Sequence, residues 1–161
     1  MEDFFDVKTC KIDGQTVCVS GIFDGHGGSR AAEYLKQNLF NNLMMHPQFM
    51  TNTKMALSET YQGTDTDFLE SEKDNSGDDG STASTVVLVG NRLFVANVGD
   101  SRTILSKACK GNSFDERERI ENAGEIVMWA GTWRVGGVLA MSRAFGNRTL
   151  KQFVVVEPGI R

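Results

Sequence analysis

The residues from Asp24 to Gly28, in the order Asp-Gly-His-Gly-Gly, combine residue types that suit metal or phosphate chemistry. The carboxylate of Asp24 follows a nearly all-apolar stretch, 16–23, which has the composition of a buried strand. Hard divalent cations such as Mg²⁺ and Mn²⁺ prefer oxygen ligands, and Mg²⁺ usually takes only one or two carboxylates and keeps several waters. Asp24 offers a carboxylate and the bare backbone of Gly25 offers a carbonyl. The run therefore predicts a divalent-cation site near the end of a strand.

Three further acids could contribute to such a site. Glu2 and Asp3 belong to a strand that we expect beside the buried one, because Asp13-Gly14 is a strong hairpin turn. Side chains alternate along a strand, so Glu2 and Asp3 point to opposite faces and only one of them can be a direct ligand. Asp100 ends another apolar stretch and is a candidate from a second strand.

Simpler interpretations of the same run stay open at this point. A glycine-rich turn between a strand and a helix is most often only a turn, and its acids can form Asx hydrogen bonds. A capping or surface role is the default for His26 taken alone. The run has neither the Gly-x-Gly-x-x-Gly pattern nor a following Gly-Lys-Ser/Thr, so it does not match the nucleotide-binding loops.

Composition limits the function classes. The 161 residues suit one domain, and 17 basic against 21 acidic residues give a net charge of −4, which argues against a nucleic-acid partner. No apolar run approaches the 18 or more residues of a membrane span, and the acidic amino terminus is unlike a targeting peptide. The three cysteines are spaced for neither a zinc site nor a disulfide framework, so we expect a cytoplasmic or nuclear protein.

The elements that must position these residues are strand pairs and helices. The sequence predicts strands at Phe4–Val7, Gln15–Phe23, Thr82–Val89, Arg92–Val98, Arg102–Leu105, Ile126–Trp129, Trp133–Ala140 and Phe153–Val156. It predicts helices at Ser29–Met45, Thr51–Leu69 and Asp115–Ala123, and a solvated acidic loop at 70–79. Two successive helices between hairpins, without regular strand–helix alternation, favour an α+β fold with antiparallel sheets.

Five segments, taken in order, resemble the successive signatures of the type 2C protein phosphatases, the metal-dependent serine/threonine phosphatases, and plant members most of all. They span nearly the whole chain. The segments are Met1–Asp3, Phe23–Gly28, Gly80–Ala83, Ala96–Arg102 and Leu139–Gly146. Five ordered matches are far more specific than one glycine-rich run.

The resemblance implies an α-β-β-α sandwich of antiparallel sheets flanked by helices, with two Mg²⁺ or Mn²⁺ ions at one end. It implies that Asp24 bridges the two ions, that Gly25 offers its carbonyl and that Glu2 ligates one of them. Asp100 matches an acid associated with a further, weak ion site. Asp3 would lie just outside the ligands.

The resemblance also implies the reaction. Metal-bound water would attack phosphoserine or phosphothreonine in a protein directly, with Asp24 and His26 as catalytic residues and His26 protonating the leaving oxygen. The partners would be phosphorylated proteins, with kinases as candidates, and we expect a monomer. Ser81, Ser101 and Ser142 are expected to hydrogen-bond at the sheet ends rather than act as nucleophiles.

Departures from the family pattern predict a shortened member. The family carries an arginine before the first signature and two more metal-binding aspartates after the last, and none of the three is present here. Asn147 stands where the family often has aspartate. We therefore expect residues 1–161 to form an incomplete phosphatase domain with weak or no activity. The alternative is a catalytically dead pseudophosphatase that acts as a binding protein.

Overall fold

The computed structural model describes residues 2–103 and 114–161 and confirms the α+β class. The helices are α1 (Arg30–Met45), α2 (Thr53–Ser71) and α3 (Phe114–Asn122), with a 3₁₀ turn at Arg148–Leu150. The strands are β1 (Asp3–Ile12), β2 (Gln15–His26), β3 (Gly80–Ser81), β4 (Ala83–Val89), β5 (Arg92–Val98), β6 (Val127–Trp129), β7 (Trp133–Val135), β8 (Phe145–Gly146) and β9 (Gly159–Ile160). Within these ranges no helix is long and apolar enough to cross a membrane.

Strand β2 is the centre of an antiparallel seven-stranded sheet. It pairs with β1 along nearly its whole length and, on its other side, with β4 and then β3. The sheet order is β8-β3-β2-β4-β5-β9, with β1 attached to β2. A separate two-stranded sheet joins β6 and β7. Antiparallel sheets and helices are therefore both confirmed.

The predicted hairpin turns are confirmed by their backbone angles. Asp13 and Gly14 join β1 to β2 with φ of 49° and 76°, and Gly90 turns β4 into β5 with φ of 60°. Glycine, asparagine and aspartate adopt such left-handed angles more readily than other residues.

Helices α1 and α2 cover one face of the large sheet. Alternate residues of β2 face them, including the fully buried Val17, Val19 and Phe23. Leucines of α1, at the predicted helical spacing, pack against this face with Phe40, Phe49 and Tyr61. Tyr61 Oη shares a 2.8 Å hydrogen bond with Thr85 Oγ1 inside the core. The side-chain alternation of β2 therefore decides which residues are left on the opposite face.

In the part of the chain that the structure describes, apolar side chains are exposed on the opposite face of the large sheet. Phe5, Val7 and Ile22 are exposed by 70%, 59% and 59%, and they border a groove of about 450 Å³. Exposed apolar patches on this scale mark surfaces that another element or molecule covers. Asp24 lies on this same face of β2, two residues after Ile22.

Helix α3 and the β6-β7 hairpin form a second, smaller core. Ile120 and Val135 are fully buried there, with Val154 and Ala144. Glu116 ties α3 to the segment beyond it through Arg143, with 2.6 Å between Oε1 and Nη2. The predicted helix is thus confirmed, and Trp133–Val135 is a strand.

Three strand predictions need correction. Strand β2 runs on through His26, so Asp24 lies within the strand rather than after it. Phe153–Val156 is not a strand, because its backbone turns and only Val155 makes an isolated bridge. Strand β7 stops at Val135, short of the predicted Ala140, because Gly136 and Gly137 turn the chain with φ of 58° and 73°.

The acidic loop is also different from the prediction. Its last residue, Asp79, is only 6% exposed and accepts a 3.1 Å hydrogen bond from the Arg30 main-chain N–H at the start of α1. Hydrogen bonding from Arg30 lowers the pKa of Asp79 despite its burial. The loop therefore anchors α1. Arg102 and Thr103 are not in a strand, and the rest of the predicted Arg102–Leu105 lies outside the described residues.

Candidate metal centre

Several strand ends meet at one edge of the large sheet and bring the predicted site residues together. Asp3, the first residue of β1, lies opposite Asp24 near the end of β2. Ala83 at the start of β4 lies opposite Val98 at the end of β5, so Asp100 follows at the same edge. The predicted carboxylates from three strands therefore converge, as the sequence indicated.

The electrostatics of this edge centre on Asp24. Partial burial of its carboxylate, followed by the negative charge and contact of Asp3 and then the charge of Asp100, raises the pKa of Asp24. His26, two residues along the same strand, has the opposite effect. A carboxylate destabilised by its acidic neighbours is one that a bound cation would stabilise.

Asp3, rather than Glu2, faces Asp24. The register places Asp3 directly across from Asp24, and Glu2 contacts the neighbouring Gly25 through its main chain, whose carbonyl accepts the Gly25 N–H at 3.1 Å. The opposite orientation of Glu2 and Asp3 follows from strand alternation. The role of Glu2 as a direct ligand stays a prediction.

Gly25 is a position that tolerates no side chain. A Cβ there would lie 2.7 Å from the Glu2 carbonyl oxygen and 3.1 Å from Glu2 Cβ. The glycine thus allows β1 and β2 to approach each other closely beside Asp24. Thr82, which sequence analysis did not single out individually, fixes the other side: its N–H donates to the Asp24 carbonyl at 2.9 Å.

His26 lies at the end of β2 and contacts the far end of the chain. Its Nε2 is 2.8 Å from Asn147 Oδ1, just after β8. Nδ1 is buried and has no hydrogen-bond partner within 2–103 and 114–161. Sequence analysis did not predict this contact, although it noted Asn147 in place of the usual aspartate.

The available oxygen donors suit a hard cation that takes few protein ligands. Among the residues that the structure describes, no group of three or more His, Cys, Asp or Glu side chains could hold a metal ion. That excludes a zinc-like cage from these residues but not Mg²⁺ or Mn²⁺ binding, since Mg²⁺ needs only one or two carboxylates and completes its shell with water. Asp24, its acidic neighbours and the Gly25 carbonyl are such donors.

The alternative nucleophiles are engaged in structural hydrogen bonds. Ser81 Oγ lies 2.8 Å from the Thr82 main-chain carbonyl oxygen and 3.2 Å from that of Asp24, and it can donate its one hydrogen to either. Ser101 Oγ is 2.7 Å from Thr82 Oγ1. Ser142 is fully buried. The contacts of Ser81 and Ser101 agree with the expectation that these two serines hydrogen-bond at the sheet ends.

The family follows from comparison with known proteins. The family model described as Protein phosphatase 2C matches residues 9–161, nearly the whole chain. This chain belongs to the protein phosphatase 2C family. The resemblance read from the five signatures is thereby confirmed.

The curated relatives that match this chain are much longer than the chain itself. The chain is 71% identical over 170 residues to "Probable protein phosphatase 2C 76" of Arabidopsis thaliana, matching all of this chain and 40% of that protein. It is 68% identical to "Probable protein phosphatase 2C member 13, mitochondrial" of rice, Oryza sativa subsp. japonica, covering 47% of it. The chain therefore spans less than half the length of these two relatives.

Solved structures share the fold. A phosphatase from a pathogenic strain of Toxoplasma gondii has a TM-score of 0.84 at 22% identity, matching 99% of this chain and 67% of that one. A C. elegans sex-determining protein has a TM-score of 0.86 at 22% identity, matching 99% of this chain and 44% of that one. At this identity the likeness establishes the fold alone.

Proposed function

We propose that this chain carries part of the active site of a metal-dependent protein phosphatase that hydrolyses phosphoserine and phosphothreonine. The observation that carries the proposal is the convergence of Asp3, Asp24 and Asp100 beside His26, in a chain of the phosphatase 2C family. An edge that concentrates negative charge suits a divalent cation, and a divalent cation in turn suits a phosphate group.

Each residue has a distinct task in this proposal. Asp24 would hold Mg²⁺ or Mn²⁺ together with the Gly25 carbonyl, with water completing the shell. Glu2 and Asp100 stay predicted ligands, although the described residues bring no three such side chains into one metal-holding group. When bound, the metal activates water near neutral pH and neutralises charge on the phosphoryl oxygens. Asp3 keeps the potential around Asp24 negative. His26 supplies a proton to the leaving seryl or threonyl oxygen.

Activity of this segment alone is expected to be weak. The chain covers less than half of the two plant relatives named above, and apolar side chains are exposed on one face of the large sheet among residues 2–103. These two observations support the expectation that residues 1–161 are an incomplete domain. They also support the second candidate, a pseudophosphatase that retains phosphoproteins or kinases without turnover.

The setting of the protein is part of the proposal. We expect a monomer in the cytoplasm or nucleus that acts on phosphorylated proteins. Cys10 and Cys18 are free thiols, which suits a reducing compartment. The net charge of −4 supports protein rather than nucleic-acid substrates.

Phosphate release from a phosphothreonine peptide tests the function. We expect slow, Mn²⁺-dependent release that EDTA abolishes and that Asp24→Asn removes. Asp67→Asn, on the exposed side of α2, removes the same charge away from the site and should leave the rate unchanged. Equal release by the wild type and Asp24→Asn would contradict the proposal. No release, with retention of a phosphoprotein by both forms, would favour the pseudophosphatase.

A further inference from the structure

The side chain of Asn147 is buried between His26 and the end of the acidic loop. It is 5% exposed, and its Oδ1 lies 2.8 Å from His26 Nε2. Its Nδ2 donates to the Asp78 carbonyl at 3.3 Å, and its main-chain N–H donates to the Asp79 carbonyl at 2.9 Å. The backbone of Asn147 is left-handed, with φ of 53°, a conformation in which asparagine is enriched. Two side-chain hydrogen bonds and one main-chain hydrogen bond therefore hold Asn147 in place.

These contacts determine which imidazole nitrogen carries the proton. The Asp78 carbonyl can only accept, so the amide group facing it must be the Nδ2 donor, and Oδ1 must face His26. Oδ1 in turn can only accept, so the facing Nε2 must carry a hydrogen. In a neutral imidazole Nδ1 is then bare, and no described residue donates to it.

Gly80 makes this contact possible. It lies opposite His26 in the β2-β3 pairing and opposite Gly146 in the β3-β8 pairing. A Cβ on Gly80 would overlap both Asn147 Oδ1 and His26 Nε2. The two side chains would have to move apart to make room for that Cβ.

We propose that Asn147 is a positioning residue, which holds His26 as the Nε2–H tautomer and fixes the direction of that proton. The catalytic meaning rests on the proposed function: with Nε2–H held by Asn147, Nδ1 is the nitrogen through which a protonated His26 would pass a proton to a leaving oxygen, returning to the Nε2–H form. The tautomer itself does not, since it follows from the hydrogen bonds of Asn147. The positioning role of Asn147 and the proposed phosphatase activity can therefore be refuted independently of each other.

Long-range ¹H–¹⁵N correlation spectra of the metal-free full chain measure the tautomer directly. The chain has two histidines, so the His46→Gln background leaves His26 as the single imidazole. The spectra are recorded over a pH series, and the alkaline end, where the nitrogen shifts no longer change with pH, reports the neutral ring. We expect a protonated-type shift at Nε2, an unprotonated-type shift at Nδ1 and a slowly exchanging Nε2–H. A proton on Nδ1, or two averaged shifts, would overturn the proposal without any further variant.

Three variants separate positioning from a merely structural role. In Asn147→Ala and in Gly80→Ala we expect loss of the slowly exchanging Nε2–H and convergence of the two nitrogen shifts. Asn147→Asp should keep the Nε2–H, because a carboxylate still accepts it. Thr149→Ala is the matched control: Thr149 Oγ1 donates to Asp78 Oδ2 at 2.6 Å on the same segment without contacting His26, so the spectrum should not change.

Phosphate release by the same variants completes the test. We expect Asn147→Ala to lower kcat at unchanged KM, and Asn147→Asp to recover it. A folded Asn147→Ala protein with wild-type nitrogen shifts would refute the positioning role even if release continued. The expected tautomer without any release from the wild type would refute the proposed phosphatase activity and leave the positioning intact.

Discussion

The carboxylate of Glu116 provides the best defined test of the energetics of the smaller core. Its Oε1 is 2.6 Å from Arg143 Nη2 and its Oε2 is 3.1 Å from Arg119 Nη2, with 12% of the side chain exposed. Burial alone would raise the pKa of Glu116, but hydrogen bonds and charge from Arg143 and then Arg119 outweigh it and lower the pKa from 4.5 to about 2. We therefore expect Glu116→Gln to be strongly destabilising.

The size of the effect follows from linkage. A pKa difference of about 2.5 corresponds to about 3 kcal/mol of folding free energy. Because the folded pKa is depressed, this stability is present above pH 4.5 and is lost as the pH falls through about 2. At pH 3 the same linkage leaves only about 1 kcal/mol. The difference between Glu116→Gln and the wild type should therefore shrink as the solution is acidified.

Urea unfolding of both proteins at pH 7 and pH 3 measures this difference. Glu121→Gln is the matched control on the same helix, because its pair with Arg117 is 2.7 Å long but 44% exposed at Glu121. Such a surface pair contributes only about 0.3–0.5 kcal/mol. The reasoning is refuted if Glu116→Gln and Glu121→Gln cost the same at pH 7, or if the Glu116→Gln cost does not fall at pH 3.

Two further predictions concern the large sheet. Gly25→Ala should cost about 1–3 kcal/mol and expose the Gly25 amide to hydrogen exchange, because its Cβ would meet the Glu2 carbonyl oxygen at 2.7 Å. Gly63→Ala on α2, where a Cβ meets nothing within 4 Å, should instead stabilise by about 0.5–1 kcal/mol, and equal effects would contradict the argument. Replacing Val7 and Ile22 by threonine should lower the fluorescence of bound ANS, a dye that binds exposed apolar surface, because both side chains are exposed by 59%. Unchanged fluorescence would show that ANS does not bind to this face of the sheet.

Much of the sheet was predictable because its signals are local. The turn at Asp13-Gly14 and the turn after Val89 depend on the residues within them, and both hairpins form as expected. The predictions failed where distant residues decide. Asp79 looked like part of a solvated loop because its charge is visible in the sequence, while its partner Arg30 lies 49 residues away. The backbone after Arg143 is likewise shaped by contacts with α3, so a local apolar run at Phe153–Val156 was misleading.

The sequence indicated candidate residues for the site, whose roles stay predictions, but not how these residues are paired. The residue types and the strand ends indicated Asp24, its acidic neighbours and His26. The register of β1 against β2 determines that Asp3 faces Asp24. Because Glu2 and Asp3 are both acids, the local sequence does not show which of them faces Asp24. The contact of His26 with Asn147 joins residues 121 apart in the chain, so only the folded structure shows it.

Manganese binding is the most direct test of the account. Titration of Mn²⁺ into the metal-free chain, followed by the electron paramagnetic resonance signal of the free ion, should show saturable binding at millimolar or lower concentration. Asp24→Asn should weaken that binding at least tenfold, about 1.4 kcal/mol, while Asp67→Asn should not change it. The account is contradicted if the wild-type chain binds no Mn²⁺ at millimolar concentration, or if Asp24→Asn binds it as well as the wild type.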